Sequence, residues 1–220
     1  MVTAVWVSGA AVFAQGQESV PKPEPRPSKA AVTFKSGMIL EEMAREAYGD
    51  AAMLDLLLRF NHLKATAVPS GTEIRTPSIS EMFRTAGTDA RYQPAFDLLG
   101  RVVADFNGIL PGYRQERQSQ IPQPWSSPSE TMKIQLKDET RKEFTRLAES
   151  IGSACAVLEK AAAPHQVPKL TIRQLRQSEQ LLKGLAAGSA DENGYDYYLV
   201  SQRLGMGLAY ALTWVQSGYR

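Results

Sequence analysis

Read for the spacing of its apolar positions, the chain opens its first folded unit with a short alternating stretch and continues with long stretches that repeat every three to four residues. Val32 and Phe34 alternate with polar Thr33 and Lys35, the period of a half-buried strand, and Ser36-Gly37 turns the chain. Ile39, Leu40, Met43, Ala44 and Ala47 then share one helical face, and Gly49 is placed to relieve a left-handed helix end. Asp50 is the expected N-cap of a second helix, whose buried side is Leu54, Leu57, Leu58 and Phe60 and which stops at Asn61. Val68-Pro69-Ser70-Gly71 is turn chemistry, and Glu73-Ile74-Arg75 is a second strand closed by Pro77. Residues 30–78 therefore predict strand, helix, helix, strand.

From Tyr92 onward the period is helical. Ala95, Phe96, Leu99, Val102, Val103, Phe106 and Leu110 form one stripe, which Pro111-Gly112 is expected to end. A Pro-bearing loop over 111–128 follows, with Trp125 as its expected anchor. Three more helices are predicted. The first carries Leu136, Phe144, Leu147, Ile151, Cys155 and Leu158 on a face, with Glu130 near its start and Lys160 near its end, as the helix dipole prefers. The second, after Pro168, carries Leu170, Leu175, Leu182 and Leu185 and stops near Gly188. The third runs from Tyr195 to Gln216 with Leu204, Leu208, Ala211, Leu212 and Val215 inward, and Gly205 and Gly207 allowing close helix approach. The expected fold class is mainly α: a small βααβ unit over 30–78, then a helical domain over 79–220 built as a four-helix bundle.

The amino-terminal pattern points to export. Val2 to Ala14 is an apolar run that reads as the core of a signal peptide over residues 1–14, and it falls well short of the roughly 20 residues a membrane-spanning helix needs. Residues 15–29 alternate Pro21, Pro23, Pro25 and Pro27 with polar side chains, an extended spacer that builds no core. No Cys follows the apolar run to carry a lipid. The expectation is an exported protein of the periplasm or cell surface without a transmembrane anchor.

Composition narrows the function classes. A hydrophobic fraction of 43% and a charged fraction of 22% suit a globular protein that buries a core, and a mean hydropathy of -0.28 argues against several membrane spans. Basic and acidic side chains balance along the chain, 8 and 8 over residues 1–77, 5 and 5 over 78–128, and 12 and 10 over 129–220. With no basic segment to neutralise phosphates, nucleic acid is not an expected partner. Cys155 stands alone and makes no intramolecular disulfide, and the two histidines are too few for most metal clusters, so no metal or cofactor is expected.

Catalytic constellations are weak. Cys155 lies on the buried periodicity of its helix and His165 in a Pro-flanked loop, so the pair reads as a core thiol and a loop histidine rather than a nucleophile with its base. Glu41 and Glu42 are neighbours on one helix turn, a solvated face rather than a glycosidase pair. Tyr195, Tyr197 and Tyr198, preceded by Asp191-Glu192-Asn193-Gly194, gather rings and carboxylates of the kind that sugar and peptide surfaces use, but read first as two core tyrosines and one at the surface. No catalytic residue is expected.

The order of elements in residues 30–78, together with Val32-Thr33-Phe34-Lys35-Ser36-Gly37, Ala47-Tyr48-Gly49-Asp50, Asn61 and the closing run from Val68 to Pro77, resembles a LysM module, a small carbohydrate-binding repeat of cell-wall proteins. The resemblance implies docking to peptidoglycan or another glycan containing N-acetylglucosamine. By that resemblance the binding residues are Gly37, Met38, Ile39, Asn61, His62, Val68, Pro69 and Gly71, in the turn after the first strand and the loop before the last. Met38 and Ile39 stand where the family carries Asp and Thr, which removes a polar pair from the usual sugar groove. The expectation is an envelope binding protein, not an enzyme, whose helical domain contacts another envelope protein. The alternative is a structural or assembly protein in which the LysM-like unit has become a protein contact.

Overall fold

The computed structural model describes residues 29–64, 68–120, 134–161, 166–188 and 195–219. The expected signal peptide, nearly all of the proline-rich spacer, Trp125, Glu130, His165 and Asp191-Glu192-Asn193-Gly194 lie outside the described residues. The chain is mostly helical, with a small two-stranded sheet.

Strand β1 (Lys29–Thr33) pairs antiparallel with β2 (Glu73–Thr76), Val32 opposite Ile74 and Thr33 opposite Glu73. Between them lie α1 (Leu40–Tyr48), a 3-10 turn (Ala51–Met53) and α2 (Leu54–Phe60). The buried face of α1 is Leu40, Met43, Ala44 and Tyr48, so the expected stripe is rotated: Ala47 is exposed, and Ile39 is the residue before the helix. Gly49 takes the left-handed conformation at φ 85°, and the Asp50 carboxylate accepts from Ala52 N at 2.8 Å. In α2, Leu56 joins Leu57, Leu58 and Phe60 in the core, whereas Leu54 is only half-buried.

Helix α3 (Ile79–Thr85) follows β2 and was not expected. Ser78 caps it by accepting from Glu81 N at 3.3 Å, and Ile79, Met82 and Phe83 are buried. Helix α4 (Gln93–Gln118) does not end at Pro111. Its Pro111 is exposed while Leu110 and Tyr113 on either side are buried. Further on, the Glu116 carboxylate accepts from Lys137 N and from Thr140 Oγ1 at 2.9 Å. Those contacts hold the last two turns against a proline penalty of about 3 kcal/mol. The expected loop over 111–128 is thus corrected: residues 111–118 are helix, and those from 121 lie outside the described residues.

Helices α5 (Asp138–Lys160), α6 (Lys169–Ala186) and α7 (Tyr195–Gln216) complete the chain. Leu136 precedes α5 rather than lying on it, although it is buried, and Leu170 of α6 is exposed. Helix α4 packs on α5, α5 on α6 and α6 on α7, and α7 returns to touch α4. Arg146 ties α5 to Asp105 of α4 at 2.9 Å, and Arg176 ties α6 to Glu159 of α5 at 3.1 Å. Among the described residues no helix is long and apolar enough to cross a membrane.

The βααβ unit is seated on α4 and α7. Gly205 of α7 lies against the carbonyl of Ala52, where an added Cβ would come within 2.6 Å of the oxygen. Gly207, on the same helix, would bring a Cβ to 2.9 Å from Leu175 of α6, so both glycines serve close approach, on different neighbours. Eight residues beyond Gly205, Thr213 Oγ1 accepts from Arg59 Nη1 at 2.7 Å, so α2 and α7 run alongside in the same direction. Asn107 of α4 donates to the Tyr48 carbonyl, and its side chain fills the space a Cβ on Gly49 would need. The Tyr48-Gly49-Asp50 turn is therefore part of this seam.

Candidate functional site

The side of the βααβ unit away from that turn is built by two loops. The first, Phe34 to Ile39, leaves β1 and enters α1. Gly37 sits at φ 89° with nothing within 4 Å of where a Cβ would lie, and Met38 N donates to the Lys35 carbonyl at 3.1 Å. The second loop turns at Ser70-Gly71, with Gly71 at φ 93°. Pro69 O accepts from Thr72 N at 3.2 Å and from Thr72 Oγ1 at 2.7 Å, closing the turn. The two loops are laced together through Phe34, whose N donates to Thr72 O and whose O accepts from Gly71 N, each at 2.7 Å. Phe34 and Thr72 are thus the residues that juxtapose the loops. Neither was among the expected binding residues: Phe34 was read as a strand position, and it follows the end of β1, while Thr72 fell within the closing run.

Of the expected glycan-binding residues, Gly37, Met38 and Ile39 of the first loop and Val68, Pro69 and Gly71 of the second are brought to this one end of the unit. Gly37, Ile39, Pro69 and Gly71 are exposed, and Met38 and Val68 are half-buried. Ile39 is 50% exposed and occupies the N-cap of α1 without offering a side-chain acceptor to the helix.

Asn61 and His62 are placed differently. Asn61 Nδ2 donates to Leu57 O and to Arg75 O, both at 2.9 Å, and its Oδ1 accepts from Arg75 N at 2.8 Å. This side chain clips the edge of β2 to the end of α2, leaving little capacity for a ligand. Arg75 lies four residues beyond Gly71, which in extended chain is about 13 Å further along. His62 is exposed at φ 55° in the left-handed position after α2. Leu63 N donates to Leu58 O at 2.9 Å and His62 N to Arg59 O at 3.2 Å, the bonds of a Schellman end in a position glycine usually takes.

The remaining candidates are simply placed. Cys155 is buried, and that burial pushes its thiol up to about 11. Glu41 and Glu42 are exposed in the first turn of α1. Tyr195 and Tyr198 are exposed with ring centroids 5.5 Å apart, while half-buried Tyr197 stands edge-on to Tyr113 at 6.0 Å under Arg114. The expectation of two core tyrosines and one at the surface is reversed. Among the described residues no cluster of His, Cys, Asp and Glu is placed to hold a metal ion.

Comparison with family models, with curated proteins and with solved structures returns no match to this chain.

Proposed function

We propose that this chain is an exported cell-envelope binding protein, with a LysM-like unit that docks to peptidoglycan or a related N-acetylated glycan and a four-helix bundle that carries it and contacts a second protein. The observation that supports this most is the pair of laced turns. Two glycine turns are held side by side by the Phe34 backbone, open to solvent, with an exposed isoleucine at their rim. Backbone groups of such turns suit acetamido groups, and Met38 and Ile39 offer apolar surface to sugar faces. The protein acts by binding, without covalent chemistry. A thiol pushed up by burial is mostly protonated near neutral pH and poorly suited to nucleophilic attack.

A second reading has its own observation. Ile39 gives up a helix cap in favour of exposed apolar surface, which suits a protein contact as well as a sugar. Cosedimentation of the full chain with insoluble peptidoglycan sacculi separates the two. Pelleting that chitin oligomers compete away, and that Gly71→Val weakens, upholds glycan docking. No pelleting removes the glycan and leaves the loops as a protein contact.

A further inference from the structure

Among the described residues four large hydrophobic side chains are strongly exposed: Ile39 at 50%, Leu170 at 46%, Tyr195 at 57% and Tyr198 at 39%. Two of the four, Leu170 and Tyr195, stand one helical turn from residues that line a groove of about 630 Å³ between α6 and α7, and Tyr198 packs against Tyr195. Its walls come from Arg173 to Leu185 on α6 and from Asp196 to Arg203 on α7. Leu170 lies one turn before Arg173 on the same face, and Tyr195 lies one turn before Leu199. Half-buried Leu181 and Leu199 give the groove apolar surface, and exposed Leu170 and Tyr195 stand outside its lining. Over Gly184 the groove is open, since an added Cβ would meet nothing within 4 Å.

The rim is positive. Arg176 is held by Glu159 and Glu179, but Arg203 donates only to the neutral Gln174 amide at 3.1 Å, and Arg173 has no side-chain partner among the described residues. Asp196 is the single carboxylate lining the groove. Arg173 to Leu185 spans about 18 Å at 1.5 Å per residue, the length of three helical turns.

We infer that this groove receives an amphipathic helix of a partner protein, its apolar stripe on Leu181 and Leu199 and its flanking carboxylates on Arg173 and Arg203. Helix-in-groove docking uses apolar anchors at i, i+3/i+4 and i+7, and carboxylates on the partner complement a rim with two arginines that have no acidic partner. A second copy of this chain is a poor occupant, because isologous pairing would set the same arginines against each other. The inference rests on the reading of the helical part as a protein-contact surface, and it names that contact.

The test places a photo-crosslinking phenylalanine analogue at exposed Gln177 of the full chain, with Glu149 of α5 as control, in the cells that make the protein. The expected result is an adduct from position 177 only, mapping to one partner segment whose sequence reads as an amphipathic helix with flanking Asp or Glu. That adduct is lost in Gly184→Trp, which fills open space, and in the Arg173→Glu/Arg203→Glu pair, whose side chains hold no carboxylate. Both variants keep the parent's circular dichroism. No adduct, an adduct to a second copy or to a segment without acidic flanks, or an adduct that survives both variants overturns the inference. Sacculi pelleting of the same variants reads the glycan arm separately, so either arm can fail while the other stands.

Discussion

The two sides of the βααβ unit are built to opposite standards. At the seam with α4 and α7, the closest backbone approaches are made possible by residues suited to them. Gly205 lets the backbone of Ala52 approach, Gly49 makes room for Asn107 and supplies the left-handed cap, and Asp50 caps its own turn. On the open side, Ile39 sits at an N-cap with no acceptor to give, and away from the seam, at the exposed end of α2, His62 holds a left-handed position that glycine fills at less cost. A chain that is locally consistent on one side and inconsistent on the other is satisfying two demands. Fold stability accounts for the first side, and the binding surface proposed above would account for the second.

Substitutions at the seam are expected to destabilise, and the most natural corrections away from it to stabilise. The largest effect belongs to Gly205→Val. Its Cβ alone would come within 2.6 Å of a backbone oxygen that cannot swing aside, so α7 and the 3-10 turn must separate. Overpacking of this kind costs about 3 kcal/mol, read as a lower urea midpoint with an unchanged denaturant slope. A loss under 1 kcal/mol would mean that the seam is soft and the unit loosely seated.

Asn61→Ala comes next and lies between the two sides. It removes one donated and one accepted bond to the Arg75 backbone that hold β2 to α2, and one donated to Leu57 O in the last turn of α2, where water can reach the exposed edge in exchange. The expected loss is about 1–2 kcal/mol, with faster amide exchange at Arg75 and little change in α5 and α6. If sacculi binding falls while stability is untouched, Asn61 is a ligand contact after all.

How far the sequence carried these conclusions depended on the kind of signal. The βααβ order was legible because strand alternation, helical spacing and two glycine turns agree within 50 residues. Helix α3 was legible too and was missed: Ser78-Ile79-Ser80-Glu81 is a capping signature, but its apolar side is only Ile79, Met82 and Phe83. The run of α4 through Pro111 was not legible, because what sustains it is tertiary. Buried Tyr113 and the Glu116 bonds to the start of α5 come from contacts 21 and 24 residues away. The groove was not legible either, because its apolar floor needs Leu181 of α6 and Leu199 of α7 together, which only the packing of the two helices supplies.

Ile39→Thr is expected to gain stability. The Thr hydroxyl at the N-cap of α1 can accept from a backbone N–H that Ile39 leaves without a side-chain partner, worth about 0.5–1 kcal/mol. The same substitution removes half-exposed apolar surface, so stability and binding should move in opposite directions. If the thermal midpoint rises and binding to the unit's ligand is unchanged, Ile39 is an uncorrected cap and not a contact.

His62→Gly is the smallest effect and the most selective test. The left-handed conformation costs a side-chain-bearing residue about 1 kcal/mol, partly offset by the greater freedom glycine has in the unfolded chain, so a net gain near 0.5 kcal/mol is expected. The Schellman bonds from His62 N and Leu63 N survive because they use only the backbone. No seam contact is touched, and neither of the two laced turns moves. A loss of sacculi binding in a variant that is more stable than the parent therefore assigns the imidazole to the ligand. Unchanged binding assigns His62 to the helix end alone and confines the binding surface to the loops around Gly37 and Gly71.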